Sequence, residues 1–277
     1  YTLRKSVNFM NVTKTKTGDK LTKNRIYDIE NIDLSYAYTE FFNRNIDVEY
    51  NTRKTYRFVL GYNFMNNPKN YRPFSKSSFF KKHKSFALIS DFNFYLLPRT
   101  LSFRSDIDRQ YHEQLMRNKT EALILLEPTY MKTFNWNRFY NIKYDLTRSL
   151  KFDFTANVIA RVDEMPGRLH KDDSDYQIKR DSIMTNLMNF GRITQYNHNY
   201  SVHYSVPINK IPLLNWVSIN TQYSGDYKWT ASALYKDSLG NYTEHPFGNT
   251  IENNNTFMLN GNFNMNTLYS KVGFLKR

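Results

Sequence analysis

Two acidic side chains, Asp106 and Asp108, are the strongest candidates for chemistry in this sequence. Their spacing of two residues would place both carboxylates on one face of an extended strand, where one could act as general acid and the other as general base. Arg104 would share that face. Such an alternation of acid and base is also typical of the charged wall of a water-filled space, because structural ion pairs use the same residue types. We interpret Arg104, Asp106 and Asp108 as part of such a charged wall, and we predict no catalytic residue.

Histidine and carboxylate patterns predict no metal site. His198 and His203 are five residues apart, so a strand would send them to opposite faces. Residues 172–175 resemble the start of a calcium loop, but Ile178 and Met184 stand where the turn glycine and the closing glutamate would be required. Because the chain also has no cysteine, thiolate sites are excluded, and we predict neither a metal nor a cofactor.

The charge balance and the motif search argue against two large function classes. The sequence contains neither a Gly-x-Ser-x-Gly elbow nor a phosphate-binding glycine loop, so we predict no enzymatic activity. The formal net charge of +14 would suit a nucleic-acid partner. However, the aromatic residues alternate away from the charged ones, and aspartate is interleaved with the basic residues. We therefore predict no nucleic-acid partner, and interpret the excess of lysine and arginine as turns and rims that face anionic lipid headgroups.

Period-two alternation is the dominant pattern, and it predicts long strands with one apolar and one polar face. Ile32, Leu34 and Tyr36, for example, alternate with Asp33 and Ser35. The pattern predicts about eight long strands, with an uncertain ninth around Val7 and Phe9. The eight segments are residues 32–39, 55–64, 101–108, 134–144, 150–160, 196–206, 217–229 and 257–266. Residues 134–144 and 150–160 read as one hairpin.

The length of these segments favours a membrane-spanning sheet over a soluble sandwich, whose strands average only about 5–6 residues. A tilted strand needs roughly 9–11 residues to cross a bilayer, and the polar faces rich in Asn, Ser and Thr suit a hydrated lumen. The longest apolar run, residues 122–126, is too short for a spanning helix. The chain also begins without an initiator methionine or signal peptide, so we expect it to be part of something longer.

These observations predict an all-β fold, namely an antiparallel transmembrane β-barrel wall that forms one domain over residues 1–277. We expect a rim connector at 66–98, a loop with a short amphipathic helix at 164–191, and an exposed loop at 236–249. In the helix, Ile183 pairs with Leu187 and Met184 pairs with Met188, and Gly191 acts as the stop. By alternation alone, nine side chains are predicted to face the lumen: Asp33, Arg57, Arg104, Asp106, Asp108, Lys143, Asp153, Arg161 and Asn220.

Several short segments resemble the SprA (Sov) family, the outer-membrane translocons of the type IX secretion system. They are RKSVNF at 4–9, YDIEN at 27–31, DFNF at 91–94, LSFR at 101–104, YDLTRSL at 144–150, ARVDE at 160–164, PGR at 166–168, YSVPINKIPL at 204–213 and GNTIEN at 248–253. They are distributed over nearly the whole chain. None is a catalytic motif, so the resemblance supplies no active site.

The resemblance implies a very large single-chain barrel in the bacterial outer membrane, of which these strands would be a fraction. It implies a protein-conducting channel that exports folded cargo and supports gliding motility. The implied partners are the lipid bilayer, secreted cargo with a carboxy-terminal signal, a plug protein and a PorV-like partner barrel. Two other functions stay open at this point: a TonB-type receptor or adhesin barrel, and an outer-membrane barrel hydrolase with acidic residues at its mouth.

Overall fold

One large antiparallel sheet dominates the computed structural model, which describes residues 1–15, 24–75, 87–119, 125–211, 213–236, 242–244 and 247–271. Nine long strands form this sheet, in the order β1-β2-β3-β6-β7-β8-β9-β10-β13. Their bounds are Thr2–Thr13 (β1), Ile32–Asn43 (β2), Val48–Met65 (β3), Thr100–Met116 (β6), Thr129–Asp145 (β7), Leu150–Arg161 (β8), Arg192–Val206 (β9), Val217–Thr230 (β10) and Thr250–Phe263 (β13). Over the described residues β1 and β13 are the two edges, and the sheet does not close on itself.

The remaining elements are short and lie in the connections. Strand β4 (Asn70–Tyr71) pairs with β5 (Phe94–Tyr95), and β11 (Leu234–Lys236) pairs with β12 (Tyr242–Glu244). Helical segments cover Ile29–Asn31, Ala87–Ser90, Tyr176–Met188, Pro207–Lys210 and Met265–Tyr269. The protein is therefore mostly β, with helices confined to connections.

The strands form where period-two alternation predicts them. Each of the eight predicted segments overlaps one long strand, and the ninth around Val7 and Phe9 is β1. The predicted hairpin is β7 and β8, which pair in antiparallel register. Several bounds differ from the predicted ones: β6 continues to Met116, and β13 begins at Thr250 and ends at Phe263. Met265 begins a short helix, whose first turn Asn264 caps by accepting a hydrogen bond from the Thr267 amide. The capping asparagine stops the strand although the alternation continues.

Short helices and strands lie within the three segments predicted as connections, whose roles as a rim connector and an exposed loop stay predictions. Connector 66–98 holds β4, β5 and the turn Ala87–Ser90, while its basic aromatic stretch at 79–84 lies outside the described residues. Connector 164–191 contains the predicted helix, Tyr176–Met188. In that helix Ile183 and Leu187 are half-buried, but Met184 and Met188 are exposed, so only one of the two apolar pairs packs. Of the loop at 236–249, Phe247 and Gly248 are described and exposed.

The sheet is a single layer. Only seven apolar side chains are buried among the described residues, and Phe64 and Val162 are the largest fully buried ones. Soluble domains bury the apolar face of a sheet against a second layer. Here only the connections pack against it.

Irregularities in the register bend the strands locally. The pairing of β1 with β2 shifts between Phe9 and Val12, where Asn11 adopts a positive φ of 51°. The amide of Asn11 is satisfied by the Ser35 hydroxyl at 2.9 Å. A second shift separates Ile159 from Ala160 on the β8–β9 ladder. Such bulges increase twist and give a sheet curvature.

Candidate functional site

The nine residues predicted to face a lumen all lie on one face of the sheet, which we call the polar face. The register joins them, because directly opposed residues in an antiparallel pair project to the same side. Arg57 lies opposite Asp108, and Lys143 lies opposite Asp153. The remaining five occupy equivalent positions on the same face: Asp33, Arg104, Asp106, Arg161 and Asn220. That this face borders a lumen stays a prediction.

Ion pairs connect four of these nine side chains. Arg57 Nη2 is 3.3 Å from the Asp108 carboxylate, and Arg104 Nε is 2.7 Å from that of Asp106. The two carboxylates that could share acid–base work are thus each held by an arginine. Because both arginines are largely exposed, the pairs contribute little to stability, typically about 0–1 kcal/mol each.

The other predicted residues are spread over the same face. Asp33 places its carboxylate over Gly61, where an added Cβ would come within 2.2 Å of it. Asp153 has His203 as its ion-pair partner at 3.9 Å, and Arg161 contacts Asp163 at 3.6 Å. Lys143 forms no ion pair with a described residue. The face is therefore a mixed-charge surface and not one convergent site.

The polar face is concave across five strands. A groove of about 830 Å³ is lined only by residues of β7, β8, β9, β10 and β13. All of its lining residues come from these five strands, so the groove is formed by the sheet alone, without a contribution from the connections. Phe139, Asn141, Lys143, Asp226 and Lys228 are among the lining residues.

Asparagines form the floor of this groove. Asn141, Asn157 and Asn197 lie on neighbouring strands, and their buried side-chain oxygens accept no hydrogen bond from a described residue. An amide oxygen without a partner is costly in dry surroundings, so the floor favours contact with water or a polar ligand. Of the groove residues, only Lys143 was among the predicted ones. The same alternation that selected Lys143 also marks Asn141, Asn157 and Asn197.

The two histidines considered for a metal pair lie on opposite faces, as their spacing predicts. His203 is on the polar face, whereas His198 stacks on Tyr227 with ring centroids 5.1 Å apart on the other face. Among the described residues, no group of three or more His, Asp and Glu side chains is close enough to hold a metal ion. In the acidic stretch 172–175, Asp172 contacts His170 and Asp175 contacts Lys179.

The opposite face of the sheet carries an exposed apolar band. Exposed apolar side chains recur there on β1, β2, β3, β10 and β13, whereas the apolar side chains of β6, β7 and β8 on this face are half-buried or buried. An exposed apolar surface of this kind marks contact with another apolar phase. Each of the following is at least 38 % exposed: Val7, Phe9, Leu34, Tyr36, Phe58, Tyr223, Phe257 and Leu259. On β3 apolar side chains occupy this face from Tyr56 to Phe64, close to the roughly 9–11 residues that a tilted strand needs to cross a bilayer, although Phe64 itself is fully buried.

A row of polar side chains bounds this band on five neighbouring strands. Its members are directly opposed in the register, and we call them the charged row: Lys5, Glu40, Lys54, Tyr111 and Lys132. The next row toward the band, which contains Tyr38, Tyr56 and Phe134, is mainly aromatic. That row also holds Val7 on β1 and Arg109 on β6, so the change from aromatic to charged side chains occurs at this level on β2, β3 and β7.

Connections reach over the apolar face at both of its margins. At one margin, the Tyr62 hydroxyl donates to the Ile26 carbonyl and the Tyr144 hydroxyl to the Tyr95 carbonyl. At the other, Glu164 of connector 164–191 binds Arg109. The band between these margins is the part of the face that the described connections leave open.

None of the helices in the described part of the chain is both long enough and apolar enough to span a membrane. Comparison with known proteins gives no assignment: no protein-family model matches the chain, and no curated protein matches it.

Proposed function

We propose that this chain is a stretch of the wall of a large transmembrane β-barrel in the bacterial outer membrane. The observation that carries the proposal is the single-layer sheet with a concave polar face and an exposed apolar face. A hydrated lumen would solvate the charges and asparagines of the first face, and lipid would cover the second.

The lengths and edges of the strands support the same proposal. The nine strands have 12 to 18 residues, enough to cross a bilayer when tilted and to extend beyond it. The outer edges of β1 and β13 have no neighbour in the described part of the chain. Unpaired strand edges in lipid would leave backbone groups unsatisfied, so in the proposed barrel both edges pair with further strands of the wall.

The function proposed for this wall is protein export as part of the type IX secretion channel, in support of gliding motility. The resemblance of the segments at 144–150, 160–164 and 204–213 to the SprA family supports this assignment. The mixed charges of the polar face also suit a passive conduit, because they offer no single strong binding site to retain folded cargo. Cargo with a carboxy-terminal signal, a plug and a PorV-like barrel are the proposed partners.

Cysteine labelling in intact outer membranes tests the topology. In the full-length protein, Asp106→Cys and Asp108→Cys should react with a water-soluble maleimide, whereas Ile107→Cys should not, because it lies on the opposite face of β6. Labelling of Ile107→Cys together with protection of both neighbours would rule out the proposed orientation.

Depletion of the full-length protein in its native cell tests the export function. Mass spectrometry should find cargo with the carboxy-terminal signal retained in the periplasm and lost from the medium. Unchanged secretion would leave the barrel wall in place and exclude export; lost ligand capture at the cell surface would then favour a receptor or adhesin.

A further inference from the structure

A basic, tyrosine-rich pocket lies where the apolar band meets the charged row. It has a volume of about 360 Å³, within the range of small-ligand sites. Two opposed pairs on β3 and β6 form its floor, Lys54 with Tyr111 and Tyr56 with Arg109. Connector 164–191 forms its wall with Leu169, His170, Lys171 and Tyr176. The pocket therefore opens on the apolar face and not toward the polar groove.

Two of the basic side chains in this pocket lack an acidic ion-pair partner among the described residues. Arg109 is neutralised by Glu164, which it contacts at 2.6 and 2.9 Å, and His170 faces Asp172. Lys54 and Lys171 form no ion pair with a described residue.

The carboxylate nearest to Lys54 in the register is already engaged. Glu40 lies directly opposite Lys54, but it is 3.5 Å from Lys5 and accepts a hydrogen bond from the Tyr38 hydroxyl at 3.0 Å. Glu40 also interacts electrostatically with Lys54 and offsets part of its charge. The remaining charge of Lys54, together with that of Lys171, is available to a bound anion.

We infer that this pocket binds the phosphate headgroup of an anionic lipid, an inference that rests on the proposed lipid contact of the apolar band. The position selects the ligand: a headgroup in the pocket would leave its acyl chains over Phe58 and Leu34 of the band, both exposed. Lysines and tyrosine hydroxyls at the edge of a hydrocarbon region are the groups that bind anionic headgroups. A free anion would use the same lysines but would gain nothing from the adjoining apolar surface.

Native mass spectrometry of the full-length protein in neutral detergent tests the pocket. The probes are short-chain phosphatidylglycerol, short-chain phosphatidylcholine and inorganic phosphate. Lys54→Gln combined with Lys171→Gln should weaken phosphatidylglycerol binding roughly 30-fold, since each lysine near a membrane surface is worth roughly a fivefold change in affinity. Lys69→Gln combined with Lys151→Gln, two exposed lysines outside the pocket, should leave the affinity unchanged.

Three results would overturn the inference. Equal phosphatidylglycerol binding by the pocket and control variants would exclude the pocket, equally tight binding of phosphatidylcholine would exclude selection by charge, and displacement of the lipid by equimolar inorganic phosphate would make it a site for a free anion. Lys171→Gln alone changes no strand residue, and it should weaken phosphatidylglycerol binding roughly fivefold. This variant keeps the test valid if the double variant does not assemble.

A separate measurement distinguishes failure of the pocket from failure of the proposed wall. If Phe58→Cys reacts with a water-soluble maleimide in intact membranes, the band does not face lipid and the wall proposal fails. If Phe58→Cys is protected and lipid binding is unaffected by the lysine changes, the pocket alone is excluded.

Discussion

At the scale of single residues, Gly225 shows how closely the aromatic side chains pack on the apolar face. It lies opposite Tyr200 on the β9–β10 ladder, and an added Cβ would be 2.6 Å from the tyrosine ring. The ring therefore covers the glycine and shields a backbone that has no side chain of its own. Aromatic rings laid over strand glycines in this way help to pin the register.

Gly225→Ala should destabilise the sheet because the new methyl group forces the Tyr200 ring out of its place. We expect a loss of about 1–3 kcal/mol in the free energy of unfolding, typical of overpacking. Urea unfolding of the full-length protein in lipid vesicles would measure it. Gly261→Ala is the matched control, since its Cβ would have no neighbour closer than 3.7 Å. Equal stability of the two variants would contradict the expected clash.

A buried acidic side chain should contribute much more to the free energy of unfolding than an exposed one, and Glu164 is the clearest buried case. Its side chain is only 3 % exposed and holds Arg109 through two hydrogen bonds. Glu164→Gln leaves the Arg109 charge without its partner, so we expect a loss of about 3–5 kcal/mol. Glu49→Gln, at a pair that is 41 % exposed on the acid side, should cost no more than about 1 kcal/mol. Chemical denaturation measures both losses. Similar losses for Glu164→Gln and Glu49→Gln would contradict the expected contribution of the buried Glu164–Arg109 pair.

At the scale of elements, connector 164–191 is attached to the sheet at several points besides Glu164. The backbone carbonyl of Met165 accepts from Lys132 at 2.9 Å, and that of Phe190 accepts from Arg138 at 3.3 Å. These contacts hold the connector against the apolar face, where it forms the wall of the basic pocket.

The end of the connector helix depends on backbone geometry that glycine supplies. Gly191 has a φ of +70°, and its amide donates to the Asn186 carbonyl at 2.8 Å, closing the last turn. Gly191→Ala should therefore cost about 1–2 kcal/mol, since its Cβ would also lie 3.0 Å from the Arg161 carbonyl oxygen. Gly191→Asn meets the same contact but should cost less, because asparagine tolerates the left-handed region. Limited proteolysis of the connector would report the difference. Identical cleavage rates for the two variants would show that the left-handed backbone at residue 191 does not determine the stability of the connector.

At the scale of the whole molecule, the sheet has two faces of opposite character and two edge strands without neighbours in the described residues. Its buried apolar residues are few, and all lie on the apolar face. Edge strands with free backbone groups tend to pair with other chains. The stability of this sheet is thus expected to depend on what lies beyond β1 and β13.

Residues 1–277 expressed alone in detergent should not form a stable monomer. We expect oligomers in size-exclusion chromatography, and fast amide exchange in β1 and β13 compared with the central β7 and β8. In the full-length protein the protection of both edge strands should rise toward that of β7. A monomer with β13 as protected as β8 would contradict the expectation that the edges need neighbours.

Much of the fold follows from local pattern. Alternation along Ile32, Leu34 and Tyr36 already identifies β2 and its two faces, because successive side chains of any strand project to opposite sides. The same rule assigns Arg57, Asp106 and Asp153 to one face, as the register has them. It failed at Met265, where a capping asparagine and not the hydrophobic period decides the end of the strand.

What the sequence determined by itself is therefore the strands, their two faces and the helix between β8 and β9, all of which depend on spacing along the chain. Only the tertiary structure decided which strands are neighbours beyond the one predicted hairpin, that a groove opens on the polar face, and that Lys54 of β3 meets Lys171 of a distant connector in one pocket. The reason is physical: pairing and curvature depend on contacts between residues far apart in sequence, and no local periodicity encodes those contacts.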